Sequence, residues 1–221
     1  MTSPKNGIMK LALAALLAVT AFSLVLPVGG QSAFARSYTL KFSEIGPPRG
    51  PRAEALKWWA EEVEKRSNGA LKVKFFWGQT LVKSKATLKA VGSGLAEMGT
   101  INGVYTPANL PVWNLANAPF TIRDPWVGMR VWHEMRQQVP ALVMEAERND
   151  VKILFNYATG PMHLLSVKKP IKTLEDLQGM KLRATGGAVQ LLSSLGATPV
   201  KMGFGEIYAA LDRGTIDGSI N

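Results

Sequence analysis

Two hydrophobic periodicities alternate along the chain, with periods of two and of about 3.6 residues. Tyr38 to Phe42 alternates and predicts a first strand, and Leu71, Val73 and Phe75 predict a second. Between them, Leu56, Trp59, Ala60 and Val63 share one face of a helix expected over 52–66, with Asn68-Gly69 as its stop. A short helix around 84–91 and a third strand within 94–101 follow. Asp124-Pro125 has the cap-and-first-turn chemistry of a helix start, and Met129, Trp132 and Met135 mark its buried side. A further helix over 140–149 leads to a strand expected over 151–157, and 159–167 reads as extended.

The last sixty residues repeat the alternation on a smaller scale. Thr173, with Asp176 three positions on, predicts a short capped helix ended by Gly179. Met180 to Ala184 is a strand followed by Gly186-Gly187. A helix over 188–195, a strand over 198–202, a helix over 205–213 and an extended piece from Thr215 complete the pattern. Strands alternating with helices predict α/β architecture with parallel sheets. We expect a first α/β lobe over 36–160 and a partial second lobe over 161–221, too thin for a self-sufficient core, as though the chain were cut short.

The N-terminus changes this picture. Lys5 and Lys10 precede an apolar run over 11–28 and a small-x-small site at Ala33-Phe34-Ala35. That pattern predicts a cleaved secretory signal over 1–35; a retained anchor is the other reading of a run of that length. The chain of 221 residues has net charge +10. Two of its 26 cations and none of its 16 acids lie before Arg36, which leaves +8 on the remainder. Such a surplus favours anionic ligands. The cations are scattered and no nucleic-acid motif is present, so no nucleic-acid partner is expected. The absence of cysteine excludes disulfides, thiolate nucleophiles, zinc-thiolate and iron–sulfur sites, and a lipid-modified cysteine anchor. No cofactor or metal is expected. The phosphate-loop, nucleophile-elbow and metalloprotease motifs are missing, and enzyme function is not expected.

Arg183 stands at the end of a predicted strand beside two glycines. In open α/β sheets ligands bind beyond the carboxyl ends of strands, and a guanidinium fork there suits a carboxylate; an edge-strand arginine facing water is the alternative. Asn102 and Tyr105, just after the third strand, are placed to contact a ligand, and the aromatic-rich loop over 102–119 could form a binding wall. Glu44 could meet ligand hydroxyls or be a solvated loop acid. His133 and His163 lack metal-ligand spacing; His163 is the one placed to approach a cleft.

Lys169-Pro-Ile-Lys-Thr-Leu-Glu-Asp-Leu-Gln-Gly-Met-Lys-Leu-Arg183, and the passage from Leu195 to Gly218 containing Gly205-Glu-Ile-Tyr208, resemble the solute-binding subunits of tripartite ATP-independent periplasmic (TRAP) transporters, of the dicarboxylate-receptor type. Trp77-Gly-Gln-Thr-Leu81 and Leu95-Ala-Glu-Met98 agree with that family as well. The resemblance implies a two-lobe periplasmic-binding-protein-like fold, here with an incomplete second lobe. It implies a monomeric periplasmic receptor that closes on a small organic acid and presents it to TRAP membrane permease subunits. A ligand-sensing domain and a non-functional fragment of a longer receptor are the other readings. The family arginine that pairs with the ligand carboxylate falls on Arg183, the ligand-contacting asparagine on Asn221, and an aromatic packed on ligand on Phe204, which could equally be core. Met162, with His163 beside it, stands where sialic-acid receptors carry a second arginine, which disfavours sialic acid. Ser219-Ile220 departs from the family pair before the asparagine.

Overall fold

The computed structural model describes residues 37–221; the expected secretory signal over 1–35 lies outside them. β1 (Tyr38–Ser43) and β2 (Leu71–Phe76) pair in parallel from Tyr38↔Leu71 to Ser43↔Phe76. A parallel pair needs a crossover, which α1 (Pro51–Arg66) supplies. Its start uses Gly50 at φ +84 followed by Pro51 at the first turn, and its apolar stripe buries Ala53 and Leu56. Phe42, Phe75 and Trp59 make an aromatic cluster, with Phe42 and Phe75 centroids 5.1 Å apart. α2 (Thr87–Gly92) precedes the short β3 (Met98–Gly99), which joins the other side of β1 to give the order β2-β1-β3.

Next come a four-residue α3 (Pro111–Asn114), α4 (Pro125–Gln138) and α5 (Pro140–Glu147). Asp124 caps α4 by accepting from Val127 N at 3.0 Å. The start of α3 is capped from a distance. The buried Glu145 of α5 accepts from Val112 N and Trp113 N at 2.6 and 3.1 Å, and Trp113 stacks on Trp132 of α4. The strand expected over 151–157 does not form. The first sheet ends at the two-residue β3, and this segment is tied to α4 instead: Asn156 Nδ2 donates to Met129 O at 3.1 Å and Arg136 to Ile153 O at 3.4 Å.

The second sheet has the order β4-β7-β5-β6, from β4 (Leu164–Ser166), β5 (Lys181–Arg183), β6 (Thr198–Val200) and β7 (Gly218–Ile220). β5 lies parallel between β6 and β7, and β4 is antiparallel to β7. Leu182 and Ala184 pack with Ala188 and Leu192 of α6 (Ala188–Ser194) in the main core; α7 (Ile207–Asp212) seats Ile207 and Ala210 in a smaller cluster with Met202 and Ile216. The helix expected at Thr173 is a single 3-10 turn, Glu175–Leu177. Asp176 reaches back to accept from Lys172 N and Thr173 N at 3.0 and 3.1 Å, which closes the turn from the carboxylate side.

Candidate functional site

Arg183 is the last residue of β5, the strand flanked on both sides, so its side chain leaves the carboxyl end of the second sheet. It is only 5% exposed. Nε donates to Met202 O (3.3 Å), Nη1 to Asn221 Oδ1 (2.9 Å) and Ile220 O (3.4 Å), and Nη2 to the Tyr105 hydroxyl (3.2 Å). Every partner is neutral. Among the described residues no acid forms an ion pair with it. Burying an ion costs several kcal/mol even after relaxation, and hydrogen bonds to neutral acceptors oppose that cost without supplying a counter-charge. A buried guanidinium with no counter-charge is a standing preference for an anion. The fork has five N–H groups, and one on Nη2 has no acceptor among the described residues.

Asn221 follows β7. Its Oδ1 accepts from Arg183 and from the Ser219 hydroxyl at 3.1 Å, which turns the amide N–H groups away from both. The departure at Ser219 therefore has a structural role: a buried hydroxyl that orients Asn221. Tyr105 comes from the other half of the chain, in the 3-10 turn Gly103–Tyr105. Asn102 starts that turn, and its Oδ1 accepts from Val104 N. The turn lies close to β5: a Cβ on Gly186 would stand 3.0 Å from Val104 Cγ1, and one on Gly187 2.7 Å from Pro119 Cδ. The two glycines do admit another group, and that group is the 103–119 loop.

In front of Arg183 opens a cavity of about 890 Å³. It is bounded by the carboxyl ends of both sheets, the crevice expected of open parallel sheets. Asn102, Tyr105, Met162, Phe204 and Ile220 line it. Arg183 stands behind Tyr105 and Ile220, bonded to the hydroxyl of one and the carbonyl of the other; Asn221, beyond β7, is exposed and bonded to Arg183. Phe204 is 44% exposed and faces the cavity rather than the core. His163 is not in the wall: its side chain is exposed, and its backbone pairs with Asn221 (N to O 2.6 Å, and 3.1 Å in return). His133 is exposed on α4, beside Arg136 and Gln137.

A second polar group sits on the first-sheet side, and sequence reasoning missed most of it. Glu44, just beyond β1, is completely buried rather than solvated. It accepts from Gly46 N (2.9 Å), from Arg52 Nη1 (2.5 Å) and from the Thr100 hydroxyl in a short bond. The Tyr157 hydroxyl interacts with Arg52 and Thr100. Burial, reinforced by the nearby Glu44 charge, holds the Tyr157 phenol above its usual range. Burial works against the Arg52 charge, but Tyr157 and Glu44 outweigh it and raise the guanidinium pKa further. The spacing of Glu44 at a strand end and Arg52 in the first turn of the next helix was the available signal.

Residues 42–221 match the model of the family 7 bacterial extracellular solute-binding proteins. The chain belongs to this family. The match spans both sheets, so the family assignment rests on the fold that carries the cavity. The chain is 28% identical over 214 residues to the C4-dicarboxylate-binding periplasmic protein DctP of Rhodobacter capsulatus, covering 95% of this chain and 62% of that protein. A marine metagenome TRAP solute-binding protein, specific for aromatic acid ligands and in complex with 3-hydroxybenzoate, superposes with a TM-score of 0.76 at 29% identity, over 84% of this chain and 57% of that one. A TRAP solute-binding protein from Sulfurospirillum deleyianum with bound succinate gives 0.73 at 26% identity, over 84% and 60%. The chain thus spans about three fifths of the length of these family members. Members of this family are solute-binding receptors rather than enzymes, and the α/β fold of this chain is theirs.

Proposed function

We propose that this protein is an exported receptor that captures a small organic acid and passes it to TRAP-type membrane permease subunits. The observation that carries the reading is Arg183, buried at the carboxyl end of a central strand with no acidic partner among the described residues. An incoming carboxylate replaces the Tyr105 hydroxyl on Nη2 and takes an amide N–H of Asn221. The exchange puts an anionic acceptor in place of a neutral hydroxyl and supplies the counter-charge that the buried guanidinium lacks, so it favours the acid. Phe204 and Met162 pack on the ligand's apolar surface, and Asn102 borders the entrance. Each sheet belongs to its own lobe, with the boundary near residue 160. Residues 1–35 act as the export leader, and the receptor works as a monomer in the periplasm. The relatives in complex with succinate and with 3-hydroxybenzoate support a carboxylate as the shared feature of the ligands.

A thermal-shift panel tests this. Galacturonate, 3-hydroxybenzoate and succinate are compared with the uncharged galactose and 3-hydroxybenzyl alcohol. Ligand at 100 times its Kd stabilises the folded state by about 2.7 kcal/mol. For a chain of this size that raises Tm by roughly 5–10 °C. At least one acid is expected to do so while its neutral counterpart does not. Equal shifts from acid and alcohol, or none from any acid, would overturn the proposal.

A further inference from the structure

Two polar groups flank the cavity and differ in charge: Arg183, behind the wall residues Tyr105 and Ile220, and Arg52, in the wall itself. Arg183 is uncompensated. Arg52 is already neutralised by the buried Glu44, 2.5 Å away, and Gly46 makes room for that pair, because a side chain there would collide with the Arg52 guanidinium. Arg52, Thr100 and Tyr157 all line the cavity; Glu44 stands behind them. The first-sheet side therefore presents hydroxyls and guanidinium N–H groups with no net charge. Of the other ionisable groups in the wall, Glu97 is paired with Lys41, and Arg123 and Lys152 are exposed, where water and salt screen them.

We infer that the cavity selects monocarboxylates that carry a hydroxyl or carbonyl away from the acid group: the carboxylate goes to Arg183, and the distal oxygen to Tyr157, Thr100 and Arg52. The inference rests on the carboxylate reading above and narrows it. A dicarboxylate would set its second charge against a neutral ion pair and beside the buried Glu44 carboxylate. That second charge would lose its hydration without gaining a counter-ion, and a neutral hydroxyl does not suffer this loss. A ligand hydroxyl can both donate and accept, which suits a site that mixes hydroxyl and guanidinium groups.

Calorimetric titration with galacturonate, 3-hydroxybenzoate, benzoate and succinate tests it. The wild type is expected to bind a hydroxylated monocarboxylate at least tenfold more tightly than succinate. Glu44→Gln leaves Arg52 uncompensated and is expected to narrow that ratio about tenfold in favour of succinate. Tyr157→Phe, which keeps the ring and the ion pair, is expected to weaken 3-hydroxybenzoate about tenfold and leave benzoate unchanged; it carries the test should Glu44→Gln fail to fold. Succinate bound as tightly as the hydroxylated acids, or ratios unmoved by both substitutions, overturns the inference. Arg183→Met separates the two levels. If it abolishes all binding while the ratios stay flat in the other variants, only the selectivity fails. If it leaves binding intact, or if no acid binds the wild type, the carboxylate reading fails as well.

Discussion

Four of the five N–H groups of Arg183 go to a hydroxyl, an amide oxygen and two carbonyls, and none of these cancels its charge. Tyr105 is the exchangeable one, since it bonds through a side-chain hydroxyl of a cavity-wall residue, whereas Met202 O and Ile220 O are backbone carbonyls fixed just past β6 and at the end of β7. Removing its hydroxyl leaves a buried charged donor short of a partner, which costs about 1–3 kcal/mol in the free protein. The same change removes the group a ligand must displace. Tyr105→Phe is therefore expected to lower the Tm of the free protein and to tighten acid binding several-fold, read by scanning calorimetry and titration. Unchanged stability with weaker binding would instead make the hydroxyl a direct ligand contact.

At the level of elements, β5 is held at its start by carboxylates. Asp217 Oδ2 accepts from Lys181 N at 2.8 Å, and the backbone N–H from Lys181 and then Lys168 hold its pKa below the usual range. Just upstream, Asp176 closes the 172–176 turn. Backbone N–H groups of Lys172 and Thr173, with the Lys169 ammonium, pull its pKa from 3.8 to about 2. A carboxyl whose folded pKa is depressed contributes stability that is complete above its unfolded value and fades as pH falls towards the folded one. Asp176→Asn should thus destabilise the protein by a constant amount above pH 4, with the difference shrinking between pH 4 and 2. A difference in Tm that persists unchanged through that window would refute the role of the ionised form. The sequence foretold this turn from Thr173 and Asp176, because capping depends on residues within one turn of each other. It foretold a helix rather than a 3-10 turn, because how far a turn continues depends on what packs over it. The strand expected over 151–157 failed for a related reason. Alternation in Val151, Ile153 and Phe155 is a local signal, whereas a strand needs a neighbour's edge, and Asn156 and Arg136 tie that segment to α4.

Across the molecule, a small parallel sheet and a small mixed sheet border one cavity, and a loop of the first half covers Arg183 in the second. Arg183, Asn221, Tyr105 and Phe204 were legible because strand ends, glycines and motif positions are marked in the sequence. His163 was placed near the site by adjacency, but only its backbone takes part, pairing with Asn221 just ahead of β4, while its side chain is exposed and outside the cavity wall that Met162 lines. Glu44 with Arg52 and Tyr157 stayed hidden because its partners are spread over a hundred residues and meet only after folding. The proposed capture of an acid depends on Arg183 as the charge that the acid completes. Its most direct test is calorimetric titration of Arg183→Met beside the wild type with the tightest-binding acid of the panel. A loss of at least thirtyfold in affinity with the fold retained by circular dichroism is predicted, of the order of the 2–5 kcal/mol lost when one partner of a buried charge pair is removed. Equal affinity in a folded Arg183→Met protein would rule out Arg183 as the anchor of the ligand carboxylate.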